Sequence, residues 1–313
     1  MYICNVKGTV IKTTGKWYQV KLENGELIES RLKGKFRIAG IKSTNPVVVG
    51  DVVRIEQSDE NYMIVELFDR RNYILRKSVN LSKQTHIIAS NIDQAILIVT
   101  FTHPITTTTF IDRFLVSANA FGVEVLILFN KTDLYSDEEN INLKNITELY
   151  EKIGYRTISL SVLKDDLSEV KNAMKGRINL ISGHSGVGKS TLINQLQPNL
   201  NIQTKEVSDS FNQGKHTTTF SELHELDFGT SIIDTPGIRG FGLVEIEKNE
   251  IGNYFLEFFK LKGECKFHNC IHLNEPNCAV KEAVVKYEIA ESRYFSYLSM
   301  LEEEDENYRV NDY

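Results

Sequence analysis

The stretch "GHSGVGKS", Gly183 to Ser190, constrains the fold of this chain more than any other. It follows the apolar run "RINLIS" and precedes the helix-compatible "TLINQL", the strand–loop–helix setting of a phosphate-binding loop. Glycines let backbone N–H groups turn toward phosphate oxygens, and the N-terminus of the next helix adds partial positive charge. Gly183, His184, Ser185, Gly186, Val187 and Gly188 then line the phosphates, with Thr191 next in the chain. Lys189 is placed to reach the β and γ phosphates, and Ser190 to bind Mg²⁺.

A second signature precedes the first. "NKTD", Asn130-Lys131-Thr132-Asp133, ends the apolar run "GVEVLILF" and has the form of a guanine reader. Asp133 can accept hydrogen bonds from both N1–H and the exocyclic amine of guanine. Adenine offers no such donor pair, a mismatch worth roughly 2 to 5 kcal/mol. Asn130 contacts the guanine edge and braces the loop in this reading, and the Lys131 stem packs on the base. After the next expected strand, "TISLSV" puts Ser161-Val162 where a backbone N–H could meet guanine O6. GTP and GDP are therefore the implied ligands, with the guanine reader ahead of the phosphate loop, the reverse of the ordinary order.

"SIIDTPG" supplies Asp234 for a Mg²⁺-bound water and the Gly237 N–H for the γ-phosphate. Between it and the phosphate loop lies "GKHTTT", where Thr217 or Thr218 could ligate Mg²⁺ only when the γ-phosphate is present, as a switch loop does. The position after Gly237 is Ile238, whose aliphatic side chain cannot orient water. Slow intrinsic hydrolysis is expected, with water ordered by His216 or by a partner.

The phosphate loop belongs to a middle segment in which apolar strands such as "QAILIVTF" alternate with helical patterns such as "TTFIDRFLVSANAFG". This is the pattern of a parallel sheet buried on both faces. Residues 1–72 read instead as short strands: "KWYQVKL" turns Tyr18, Val20 and Leu22 inward, Asn24-Gly25 makes a hairpin, and "ELIESRL", "VVVGDVVRIE" and "NYMIVELF" follow. A small barrel of the oligonucleotide-binding type is expected there. Residues 73–240 form the α/β nucleotide-binding domain and 241–313 a helical one, in which Ala283, Tyr287, Ala290, Tyr294, Leu298 and Leu301 share one helix face.

The formal net charge of −6 argues against a chain basic all over, yet residues 1–83 hold 15 Lys/Arg against 9 Asp/Glu. In "RLKGKFR", Arg31, Lys33, Lys35 and Arg37 alternate, so on a strand all four would share one face suited to phosphates. No apolar run reaches a membrane span and the start lacks a signal-peptide pattern, so a cytoplasmic protein is expected. In a reducing compartment "CKFHNCIHLNEPNC" suggests metal before disulfide. Cys265, His268, Cys270, His272 and Cys278 compete for four tetrahedral places on Zn²⁺. Cys265, Cys270, His272 and Cys278 are favoured, with His268 as an outer neighbour, and a structural site is expected because three thiolates and one imidazole close the shell. Cys4 reads as core.

Taken together, "NKTD" before "GHSGVGKS", then "GKHTTT", "DTPGIRGFGL" and the C-x4-C-x-H-x5-C cluster resemble one family. It is that of the circularly permuted small-subunit ribosome biogenesis GTPases, known as RsgA or YjeQ. The resemblance covers nearly the whole chain. It implies an oligonucleotide-binding barrel, a permuted GTPase domain and a zinc domain. It also implies binding to the immature small (30S) subunit near its rRNA, stimulation by that subunit and release on GTP hydrolysis; a monomer is expected.

Overall fold

The structure, a computed structural model, describes residues 5–33, 46–58, 61–77, 85–200, 221–234 and 246–302. Five strands open the chain: β1 (Asn5–Thr14), β2 (Trp17–Leu22), β3 (Leu27–Leu32), β4 (Val52–Ser58) and β5 (Asn61–Leu67). β1 pairs with both β2 and β4, and the parallel pair β3–β5 closes the ring, so the five strands form a barrel. The alternation read from the sequence is the cause: Tyr18, Val20 and Leu22 point into a core with Val10, Ile28, Val53, Ile55 and Ile64. Gly25 takes a positive φ in the hairpin turn, where Asn24 Oδ1 accepts from Glu26 N–H at 2.9 Å.

"VVVGDVVRIE" is not one strand. The chain turns at Gly50, whose φ is +92° and where a Cβ would stand 2.0 Å from the Ser90 carbonyl oxygen. β4 therefore begins only at Val52. Ser90 ends β7 (Thr85–Ser90), which pairs with β6 (Tyr73–Lys77) in a separate two-stranded sheet that the sequence reading does not anticipate. Of the basic run, Arg31 and Leu32 belong to a strand and Lys33 follows it. β3 stops at Leu32, Arg31 lies over the Trp17 ring at 3.6 Å, and Lys33 pairs with Glu56 at 2.9 Å. Lys35, Arg37 and Cys4 lie outside the described residues.

The middle of the chain is a six-stranded sheet made of β8 (Gln94–Val99), β9 (Glu124–Phe129), β10 (Arg156–Ser159), β11 (Ile178–Ser182), β12 (Glu222–Leu226) and β13 (Thr230–Asp234). Their spatial order is β10-β9-β8-β11-β13-β12, parallel except for β12. Both faces are covered, which explains the unbroken apolar runs. Ala95, Leu97 and Val99 pack with α1 (Thr108–Ala120) and α2 (Asp137–Ile153), whereas Ile96 and Ile98 pack with α3 (Ser168–Met174) and α4 (Lys189–Leu196).

Two seams join this sheet to its neighbours. Antiparallel pairing of Lys12 with Glu222 joins β1 to β12, which covers the edge of the sheet, and their side chains pair at 2.8 Å. Beside it, buried Asp51 accepts from Arg70 at 2.7 Å on each oxygen, from Ser90 Oγ and from Val48 N–H. On the other side α1 packs on α7 (Glu291–Glu302), and Val116 enters a core with Phe255, Phe258, Val280, Tyr297 and Met300. Arg293 of α7, 1% exposed, reaches Asp112 of α1 at 2.6 Å and Glu257 of α5 (Leu256–Leu261) at 2.7 Å. Tyr150 donates to the same Asp112 oxygen.

The helical region holds one correction. Ala283 to Leu301 is not a single helix: α6 (Ala279–Val285) ends and α7 restarts at Glu291. Tyr287 has φ +59° and is 80% exposed, while Tyr287 N–H donates to the Val284 carbonyl and Glu288 N–H to that of Ala283. This is a helix-terminating Schellman turn with tyrosine at the position glycine usually holds. No helix among the described residues is long and apolar enough to cross a membrane.

Candidate nucleotide site and metal centre

Parallel register brings the motif-bearing loops to one edge of the sheet. Val99 and Ser159 both pair with Phe129, and Ser182 pairs with Leu97, so the chain leaves β8, β9, β10 and β11 on the same side. Ligands bind α/β sheets at this carboxyl edge. Chain order is irrelevant to the meeting, since each loop is placed by its own strand.

Asn130, 3% exposed, ties three of these loops together. Its amide donates to the Val187 carbonyl at 2.8 Å, and its oxygen accepts from Lys131 N–H at 2.7 Å and Val162 N–H at 3.0 Å. The approach requires glycine: a Cβ on Gly188, where φ is +106°, would stand 2.3 Å from the Asn130 amide nitrogen. Lys189 opens α4 and turns its ammonium back to the carbonyls of Gly183 at 2.7 Å and His184 at 2.5 Å. Ser190 and Thr191 follow it in the first turn of α4. The His184 ring lies 3.8 Å from that of Phe110 on α1, while Ser185 and Gly186 are exposed.

The loop expected to read guanine is tied to its neighbours as well. Asp133 faces Lys164 at 2.9 Å, and hydrogen bonds from Lys164 and Ser161 hold its carboxyl below the usual carboxylate range. Thr132 and Asp133 lie in a single 3₁₀ turn that follows Lys131 in the left-handed region. Lys131 donates to the His103 carbonyl at 2.6 Å, and burial lowers its pKa. In the loop expected to meet guanine O6, Ser161 N–H donates to Asp165 Oδ2 at 2.7 Å and Val162 N–H to Asn130 Oδ1 at 3.0 Å.

β13 ends at Asp234 beside β11, which brings that backbone to the same edge. His216, Thr217, Thr218, Gly237 and Ile238 lie outside the described residues. Tyr135, Lys164 and residues 100–107 contact the motif-bearing loops, and no spacing rule marks them in the sequence.

In the helical region Cys265, Cys270, His272 and Cys278 bring one ligand atom each within 4.8 Å of one another. His272 Nδ1 stands 3.7, 3.5 and 3.3 Å from the sulfurs of Cys265, Cys270 and Cys278. Metal–sulfur and metal–nitrogen bonds of about 2.3 and 2.0–2.1 Å set tetrahedrally span edges of about 3.6 Å, so the donor set fits a zinc-sized ion. Burial pushes the Cys270 thiol up to about 12, so a cation would have to displace its proton. Glu275 accepts from Ile271 and Leu273 N–H at 2.8 Å, and Tyr294 donates to the His272 carbonyl at 2.7 Å, fixing the loop around the imidazole. His268 is exposed and outside the group.

Two family models match the chain: the RsgA N-terminal domain over residues 7–65 and the RsgA GTPase over 67–244. A protein of Christiangramia forsetii called small ribosomal subunit biogenesis GTPase RsgA is 54% identical over 98% of this chain and 99% of its own. One of that name from Bacteroides fragilis is 54% identical over 96% and 98%. Among solved structures, YjeQ from Thermotoga maritima superposes with a TM-score of 0.78 at 34% identity, covering 95% of this chain and 98% of its own. YloQ, a circularly permuted GTPase, superposes with a TM-score of 0.74 at 29% identity, over 95% and 94%. With loops that meet in space while running out of order in sequence, and with these likenesses along its length, the chain belongs to the RsgA GTPase family.

Proposed function

We propose that this GTPase couples GTP binding and hydrolysis to biogenesis of the small ribosomal subunit. The observation that carries the nucleotide assignment is Asn130, which binds the guanine-reading loop to the phosphate loop and to the Ser161–Val162 loop. In this reading Asp133 accepts the guanine donors, Lys131 flanks the base, and Gly183 to Thr191 hold the phosphates. Lys189 neutralises the β and γ oxygens and Ser190 ligates Mg²⁺. Asp234 would help to hold Mg²⁺ through water, Gly237 would sense the γ-phosphate, and Thr217 or Thr218 would ligate Mg²⁺ in the triphosphate state. Mg²⁺ offsets charge on the phosphates when bound.

Cys265, Cys270, His272 and Cys278 hold Zn²⁺ in a structural role, since four protein ligands leave no open place. The barrel approaches rRNA of the subunit, supported by the basic excess of residues 1–83 and by the exposed Arg31 stacked on Trp17. The protein works in the cytoplasm as a monomer and leaves the subunit once GTP is hydrolysed. The decisive experiment is GTP turnover with and without purified small subunits. Strong stimulation is expected, and equal turnover would reject the coupling. His216→Ala is expected to keep GTP binding and to lose most of the stimulated rate, by about 10²-fold or more if the imidazole orients water.

A further inference from the structure

Tyr135, two residues beyond Asp133, is 9% exposed and carries a hydroxyl with two backbone partners. It donates to the Asn130 carbonyl at 2.7 Å and accepts from Phe101 N–H at 3.1 Å. Phe101 opens a loop between β8 and α1 that is closed on itself. Thr100 Oγ1 donates to the Pro104 carbonyl at 2.6 Å, Thr106 N–H to the Thr100 carbonyl at 2.9 Å, and Thr100 N–H to Thr106 Oγ1 at 3.3 Å. The same loop receives the Lys131 ammonium on the His103 carbonyl, and Pro104 lies beside Gly186 of the phosphate loop, 3.5 Å from where a Cβ on that glycine would stand. Phe101 also packs on Phe129 and Tyr135, with ring centroids 5.6 and 5.5 Å apart.

We infer that the Thr100–Thr107 loop is a fixed post for the nucleotide site and that the Tyr135 hydroxyl is the positioning group that sets the guanine-reading loop on it. The inference rests on the guanine assignment above. Asn130 has its side chain committed to Val187, Lys131 and Val162, so only its backbone is left to fix the height of the loop above the sheet. That backbone is held from below by Asn130 N–H donating to the Val99 carbonyl at 2.9 Å, and from the side by Tyr135. Removing the hydroxyl leaves a buried carbonyl and a half-buried N–H without their partner, and the loop then populates arrangements in which Asp133 no longer meets the base. Affinity falls in proportion to the competent fraction. Tyr135 touches only the guanine side, so GTP and GDP must suffer alike and the chemical step must not change.

The test uses the full zinc-loaded chain carrying Tyr135→Phe, titrated with GDP and with a non-hydrolysable GTP analogue, beside its GTP turnover at saturation. Both affinities are expected to fall by the same factor, about threefold to tenfold, with the saturating rate within twofold of the parent. Unchanged affinities in a protein that merely melts lower would overturn the inference, as would loss of the triphosphate alone. Should Tyr135→Phe not fold, Thr100→Val, which slackens the post from its far side, must lower both affinities together, and unchanged affinities again overturn it. Asp133→Asn is run in parallel. If that variant loses GTP without gaining xanthosine triphosphate, the guanine assignment fails independently of Tyr135.

Discussion

Asn130 reaches across 57 residues to Val187 and across 32 to Val162, whereas Cys265, Cys270, His272 and Cys278 come from one short stretch. The candidate nucleotide site is assembled by protein hydrogen bonds among loops that separate strands deliver. The candidate metal centre converges locally and crowds three sulfurs and an imidazole into a small space, with burial raising the Cys270 and Cys278 thiols. A change in the first site should therefore alter ligand affinity while the domain stays folded. In the second, loss of the proposed zinc ion should alter the fold.

The largest effect expected is on the metal side. Chelation or Cys270→Ala removes an interaction worth on the order of 10 kcal/mol in small zinc modules. Hydrogen exchange should rise across α5, α6 and α7 while the barrel keeps its protection, and zinc by elemental analysis should fall to zero. Next comes the seam. Arg293→Met leaves buried Asp112 and half-buried Glu257 without their cation, a loss of about 3 to 5 kcal/mol when one partner of a buried pair is removed. A lower melting temperature should accompany unchanged GDP affinity, because Asp112 lies on the face of α1 that meets α7 rather than on the nucleotide edge. The smallest effect is at the barrel seam, where Lys12→Ala removes an exposed pair with Glu222. Less than about 1 kcal/mol is expected in a denaturant melt.

What could be read from the sequence follows the same division. Phosphate loop, guanine reader and cysteine cluster are contiguous strings whose chemistry depends on local spacing, so they stand out before any fold is known. The alternating burial of Tyr18, Val20 and Leu22 is likewise local. Long-range hydrogen bonds leave no such trace: the Asp51–Arg70–Ser90 tie and the Tyr135 post pair residues whose types are common on any surface. The β6–β7 hairpin escaped because "YILRK" and "THIIAS" mix charged and apolar residues without clean alternation. Tyr287 misled in the other direction. Its spacing from Ala283 fits a helix face, but the chain reverses there with no glycine or proline to mark the stop.

Nucleotide competition against the parent chain and Asp133→Asn tests the central claim most directly. The parent should bind GTP and GDP and refuse ATP and xanthosine triphosphate. In the variant the amide presents a donor where guanine also presents one, so GTP should weaken by about 30-fold or more, the low end of a 2 to 5 kcal/mol mismatch. Xanthine carries an acceptor at that position, so xanthosine triphosphate should bind the variant better than the parent. Equal loss of both nucleotides, or ATP binding as tight as GTP in the parent, would contradict the assignment of Asp133 as the guanine reader.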